Sequence, residues 1–166
     1  MNKKIALILA LAFLLFSATL SMANAEVTRE KHSVPFKAEA TATATPTGNP
    51  VNGILGISIL GSGTATLMGK VSVSQQMSVN LATGEFFDGT FAWTAANGDK
   101  VFGIYHGNMI PTSDPTVSLI DGVFTFTGGT GRFEGATGGG TASGKQFTTG
   151  SAELKLDGTI TSVGSK

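Results

Sequence analysis

The segment Phe91-Ala92-Trp93-Thr94-Ala95-Ala96-Asn97-Gly98-Asp99-Lys100-Val101-Phe102-Gly103-Ile104-Tyr105-His106 decides the fold. Asn97-Gly98 lies between two apolar, strand-like runs, the strongest short signal for a type I′ hairpin. With Asn97 and Gly98 as a two-residue loop, Ala96 pairs with Asp99. That register sets Trp93 opposite Phe102, Phe91 opposite Ile104 and Gly89 opposite His106, all on one face. The other face pairs Thr94 with Val101, Ala92 with Gly103 and Thr90 with Tyr105. The Trp93–Phe102 face holds most of the aromatic area available for burial and is the expected core face. The hairpin extends from Glu85 to Met109.

Upstream, Phe36, Ala38, Ala40, Ala42 and Ala44 alternate with Lys37, Glu39, Thr41, Thr43 and Thr45. A strict period of two marks a half-buried strand. A wall of inward alanines is thin, and close packing against bulky neighbours is the expected use of the space. Pro46-Thr47-Gly48-Asn49-Pro50 ends it, because neither proline can donate to a ladder. Ile54 to Leu60 is too short and apolar for periodicity to separate strand from helical turn. Gly63 to Val79 reads as one strand with Ala65, Leu67, Val71 and Val73 on its apolar face and a bend at Gly69. Downstream, Pro111 to Pro115 is a connector. Thr116 to Thr127 is a strand interrupted at Asp121-Gly122, with Ile120, Phe124 and Phe126 on one face. Ser151 to Ile160 is the last strand, with Ala152, Leu154, Leu156 and Ile160 inward.

Seven or eight short strands with no helical pattern among them make an all-β domain, a sandwich or a small barrel. Composition agrees. The 166 residues include 23 glycines and no cysteine, with eleven basic and eleven acidic residues. Residues 1–25 read as a secretory signal peptide. Lys3 and Lys4 precede the apolar run Ile5–Phe16, and Ala23-Asn24-Ala25 offers a cleavage site. The run is too short for a membrane span, so none is expected after cleavage. Residues 26–33 read as a loose lead-in, 34–162 as the domain and 163–166 as a tail. Cleavage removes two lysines and leaves nine basic residues against eleven acidic, a net charge near −2. No basic footprint for nucleic acid exists, and export leads to the periplasm or the exterior. Without cysteine there is no disulfide, thiolate ligand or thiol nucleophile.

Chemical motifs are few. Gly139 to Gln146 has the glycine and lysine spacing of a phosphate loop, but Gln146 replaces the hydroxyl residue and no helix follows. His32 and His106 lack partners at metal-ligand spacing, so no metal is expected. His106 falls at the end of the aromatic face, where it could hydrogen-bond a ligand at a barrel mouth or simply sit at the rim. Asp99 and Asp121 sit in turn contexts, and Asp88 falls on the presumed outside. No nucleophile elbow is present.

Thr127-Gly128-Gly129-Thr130-Gly131-Arg132-Phe133, followed by Gly135-Ala136-Thr137-Gly138, resembles the signature of the dirigent and allene oxide cyclase superfamily. The Asn97-Gly98-Asp99 turn with Gly103 and Gly107 is similar to exported bacterial barrels of that kind. The resemblance covers residues 34–162. It implies a calycin-type antiparallel eight-stranded β-barrel with an apolar cavity. It also implies work without metal or organic cofactor, by shielding a reactive intermediate, often as oligomers. Gly128, Gly129, Thr130, Gly131 and Phe133 are expected to be architectural.

Three functions follow, in order of preference. The first is non-catalytic binding of a small apolar ligand or a protein partner, with Phe91, Trp93, Phe102, Ile104, His106 and Phe124 lining the interior. The second is a cofactor-free cyclase or isomerase, or dirigent-like guidance of a reactive intermediate. The third is a ligand-free structural surface or matrix protein. A homo-oligomer is compatible with each. A ligand cavity of roughly 300 Å³ or more would favour the first two, and a filled interior would argue against them.

Overall fold

The computed structural model describes residues 32–162, so the signal peptide, most of the lead-in and the tail lie outside the described residues. Eight strands follow one another around a closed antiparallel barrel, each pairing with its neighbours in sequence and the last with the first. They are β1 (His32–Pro46), β2 (Ile54–Ala65), β3 (Gly69–Asn80), β4 (Glu85–Ala95), β5 (Lys100–Pro111), β6 (Val117–Gly129), β7 (Gly138–Phe147) and β8 (Ser151–Ser162). One short 3-10 turn, η1 (Gly131–Phe133), joins β6 to β7. Closure leaves no unpaired edge. Eight strands enclose an interior just wide enough for side chains to fill. His32 and Ser33 belong to β1, paired with Ser162 and Thr161, so the barrel begins two residues before the sequence boundary.

The alternation in β1 is realised directly. Phe36, Ala38, Ala40 and Ala42 are buried, while Lys37, Glu39, Thr41 and Thr43 are exposed. Ile54–Leu60 is strand, held on both sides by β1 and β3. Gly63–Val79 is two strands rather than one. A turn at Thr66–Met68 divides them, with Leu67 at φ 65° and Gly69 at φ 69°. Leu67 is therefore exposed and Met68 buried. Gly69 marks a hairpin, not a mid-strand bend. Asp121-Gly122 does not interrupt β6, because both residues stay in register with β5 and β7.

The β4–β5 hairpin differs from expectation by one residue. Ala95 and Asp99 close the loop, with the Ala95 N–H donating to the Asp99 carbonyl at 2.8 Å and the Gly98 N–H to the Ala95 carbonyl at 2.9 Å. Three residues, Ala96, Asn97 and Gly98, lie between them, and Gly98 takes φ 89°. A three-residue loop that ends in a left-handed glycine is the next most common hairpin after the two-residue turn. Trp93 consequently pairs with Val101, Phe91 with Gly103 and Gly89 with Tyr105. A slip of one residue turns every side chain of a strand to the opposite face. Val101, Gly103 and Tyr105 point inward, and Phe102, Ile104 and His106 point outward. A bulge between Phe86 and Gly89, with Asp88 at φ 51°, then lets both Phe86 and Phe91 face inward.

The barrel is asymmetric in wall thickness. Inward positions on β1, β7 and β8 carry Ala38, Ala40, Ala42, Ala142 and Ala152, and this side receives rings from the opposite wall. Phe36, on β1 itself, meets Phe126 edge-on with ring centroids 4.9 Å apart, and Phe126 meets Phe124 at 5.2 Å and Phe91 at 5.8 Å. Such edge-to-face contacts add to the area the rings bury. The small residues are thus the room into which the aromatics pack.

Candidate functional site

One end of the barrel is shut by the signature stretch. Thr130 accepts the Lys100 N–H on its hydroxyl at 3.0 Å and donates its own N–H to the Lys100 carbonyl at 2.9 Å. This ties the start of η1 to β5. Phe133 and Ala136 then drop into the same core cluster as Trp93, Val101 and Phe126. Gly131 takes φ 58°, and a β-carbon there would collide with the Asp99 carboxylate. Gly129 has no room for one between the Lys100 and Phe133 backbones, at 2.5 Å from each carbonyl oxygen. Gly128, Gly129, Thr130, Gly131 and Phe133 therefore build a plug. The Arg132 guanidinium lies 4.9 Å from the Phe133 ring centroid on the outside of it.

The other half of the barrel is less full. A pocket of about 40 Å³ runs from mid-barrel toward the loops joining β5 to β6 and β7 to β8. Phe91, Trp93 and Phe124 line its inner part, as the sequence suggested, and Phe86, Met109 and Ile120 line its outer part. Phe102, Ile104 and His106 do not line it. They lie on the outer surface because of the three-residue loop.

Three residues with polar side-chain groups line this pocket from adjacent strands. Gln75 on β3 is the buried polar residue among those described, at 8 % exposure. Trp93 on β4 is 1 % exposed, and its indole N–H has no hydrogen-bond partner. Tyr105 on β5 completes the set, and burial pushes its phenol well above the ordinary tyrosine range. Its hydroxyl reaches the Gln76 carbonyl only at 3.4 Å, too long for a strong O–H···O bond. Gln75 pairs with Phe91, one step along the same face from Trp93, so the amide and the indole are diagonal neighbours. Gln146 also borders the pocket, but its amide is spent on the Phe147 and Ser151 carbonyls at 3.0 and 3.1 Å, closing the β7–β8 turn.

Gln75 was legible in the alternation of Val71, Val73, Met77 and Val79, where it stands as a polar residue at a core position. Tyr105 was hidden by the slipped register, and Phe86 by the bulge at Asp88.

The pocket's chemistry is narrow. Tyr105 is the only residue with a titratable side chain among its described lining, and no carboxylate, imidazole or cation borders it. General acid–base work in the pocket would fall to Tyr105 alone. Among the described residues no three His, Asp or Glu side chains gather as a metal site. The Gly139–Gln146 stretch lies wholly within β7, paired on both edges, so its amides are not free to cradle phosphate.

Outside, β5 and β6 present an apolar stripe. Phe102, Ile104 and Ile110 on β5 and Leu119 and Val123 on β6 are 37 to 51 % exposed. The register sets Ile110 beside Leu119 and His106 beside Val123. The outward face of β1 carries Lys37, Glu39, Thr41 and Thr43 instead. Among the described residues no helix is long and apolar enough to cross a membrane.

Comparison with protein-family models, curated proteins and solved structures finds no match to this chain.

Proposed function

We propose that this is an exported, non-catalytic barrel of the dirigent and allene oxide cyclase kind, which binds a slim apolar ligand in the half of its interior opposite the η1 plug. One observation carries the reading. The pocket is apolar, partly enclosed and supplied with three polar groups, yet bordered by no carboxylate, imidazole or cation. Small-molecule sites combine an apolar lining with a few such polar groups. The lack of paired acids and bases weighs against a cyclase. At about 40 Å³ the pocket is far below the roughly 300 Å³ of drug-sized sites. An engineered cavity that holds benzene measures about 150 Å³. The ligand is therefore a chain end rather than a ring system, admitted by rearrangement of Met77 and Met109, whose thioether side chains adapt readily. Export rests on the sequence of residues 1–25, and membership of the superfamily rests on residues 127–138.

The outer stripe favours a second reading, in which the barrel is a ligand-free structural module that assembles with copies of itself. An exposed apolar patch marks an interaction surface. A chain with equal numbers of acidic and basic residues, or a net charge near −2 after cleavage, sets up little repulsion between copies.

Native mass spectrometry of protein purified from its own host separates the two. A co-purified small molecule on a monomer supports ligand binding. An empty oligomer, converted to monomer by I104K/V123K, supports the structural module. An empty monomer refutes both.

A further inference from the structure

The indole N–H of Trp93 is a strong donor, buried and without a partner, in a side chain that lines the pocket. Leaving such a group unpaired costs about as much as a lost hydrogen bond. Native proteins rarely keep one without a water or a ligand to satisfy it. Gln75 and Tyr105 flank the same space on the neighbouring strands. Three polar side chains thus line one apolar pocket, and among them the Trp93 N–H is the buried donor without a partner. No cation borders the pocket to neutralise an anion, and a buried carboxylate without one is heavily penalised.

Resting on the ligand-binding reading above, we infer that the pocket selects a neutral, slim, oxygen-bearing molecule, a ketone, aldehyde or alcohol, whose oxygen accepts the Trp93 N–H while its alkyl chain runs toward Met77 and Met109. Gln75 and Tyr105 are the polar side chains that line the pocket on the neighbouring strands. The apolar lining supplies affinity and the indole supplies discrimination. A site built to hydrogen-bond a substrate oxygen rejects the analogue that lacks it more strongly than an apolar pocket rejects a missing methylene.

The test uses four probes of one length: 2-pentanone, 1-pentanol, pentane and pentanoate. Calorimetry is expected to give 2-pentanone and 1-pentanol dissociation constants about tenfold below that of pentane, the yield of one well-made hydrogen bond. Pentanoate, charged at neutral pH, should bind at least tenfold more weakly than the ketone. Trp93 is the only tryptophan in the chain. Its single indole ¹H–¹⁵N resonance should move downfield with 2-pentanone and stay in place with pentane. W93F should lose the preference, bringing ketone and alkane within about twofold of each other whatever their absolute affinities. If W93F does not fold, the indole resonance of the wild type still decides. Pentane binding as tightly as 2-pentanone, or an indole resonance unmoved by bound ketone, overturns this inference and leaves a purely apolar pocket standing. Absence of binding by all four probes removes the ligand-binding reading and this inference with it.

Discussion

The ring of Phe91 lies over Gly103, its cross-strand partner, so that a β-carbon on Gly103 would stand 2.8 Å from the ring and press on the Thr125 carbonyl oxygen. The relationship recurs along the same pair of strands. Phe86 covers Gly107, where a β-carbon would be 2.6 Å from its ring, and Tyr105 covers Gly89 at 2.8 Å. Three aromatic–glycine pairs on β4 and β5 thus let large rings lie flat inside a narrow barrel. Gly103→Ala should cost about 1–3 kcal/mol, the range for overpacking a filled core. Chemical denaturation would measure it, and an unchanged midpoint and slope would show that both the ring and the Thr125 backbone can move aside.

The hairpin loop gives a sharper test of register. With three loop residues, removal of Ala96 leaves Asn97-Gly98 as a two-residue turn between Ala95 and Asp99, and β5 keeps its facing. With a two-residue loop, which sets Phe102 and Ile104 inward, the same deletion would shift the strand by one and turn them outward. The deletion variant is therefore expected to fold with a stability change below about 1 kcal/mol, since both turn types suit hairpins. Collapse of the variant, or exposure of Trp93 in its emission spectrum, would contradict the register.

That loop also shows where sequence stops being informative. Strand β1 was legible because its polar and apolar residues alternate without a break, and a period of two needs no tertiary help to be read. The existence of the β4–β5 hairpin was equally plain from Asn97-Gly98. Its register was not, because one extra residue in a loop leaves the strands unchanged in composition while reversing which side of β5 is inside. Phe102 and Ile104 are as hydrophobic as core residues, and area alone assigned them inward. Inward glycines at 103 and 107 make sense only once the rings above them are known. The inner pocket residues on β4 and β6 were within reach of the sequence. Gln75 was within reach too, while Tyr105 needed the register.

The signature stretch is predicted to act on folding. Phe133 is 4 % exposed and packs in the core beneath η1. Phe133→Ala should cost about 3–5 kcal/mol, as for other buried phenylalanines cut to alanine. Arg132→Ala should cost less than about 1 kcal/mol, because its cation–π contact and its 3.7 Å approach to Asp99 are both at the surface. Thermal unfolding of the two variants side by side would check the contrast. Equal losses would mean that the loop's surface contacts matter as much as its plug.

Tyr105 sets an alkaline limit. Burial raises its pKa above the ordinary 10.0, so the folded protein holds the neutral phenol where the unfolded chain ionises. Its contribution is fully present below pH 10 and is lost as pH rises from there toward the folded-state value. Stability measured by denaturant between pH 8 and 12 should fall on the upper side of that range, and Tyr105→Phe should flatten the fall. A wild-type curve that matches the variant's would place the phenol in contact with water.

The seam between β1 and β8 closes the barrel, and two cross-strand ion pairs straddle it. Lys37 faces Asp157 at 2.7 Å, and Glu39 faces Lys155 at 3.1 Å. Each pair is well exposed and contributes little to stability alone. Their order matters more than their strength. Sliding β8 by two residues in one direction would set Lys37 against Lys155 and Glu39 against Glu153, and in the other direction Glu39 against Asp157. Either slip that preserves the inward face brings like charges together, which opposes cross-strand pairing. The charges therefore select the closing register among those the apolar pattern allows. E39K and K155E singly should each cost up to about 1 kcal/mol at low salt, and the double variant E39K/K155E should recover most of the pair's coupling. The losses should shrink in high salt, which screens exposed charges. A double variant no more stable than the sum of the singles predicts would mean that the seam is held by Phe36, Leu156 and Ile160 alone.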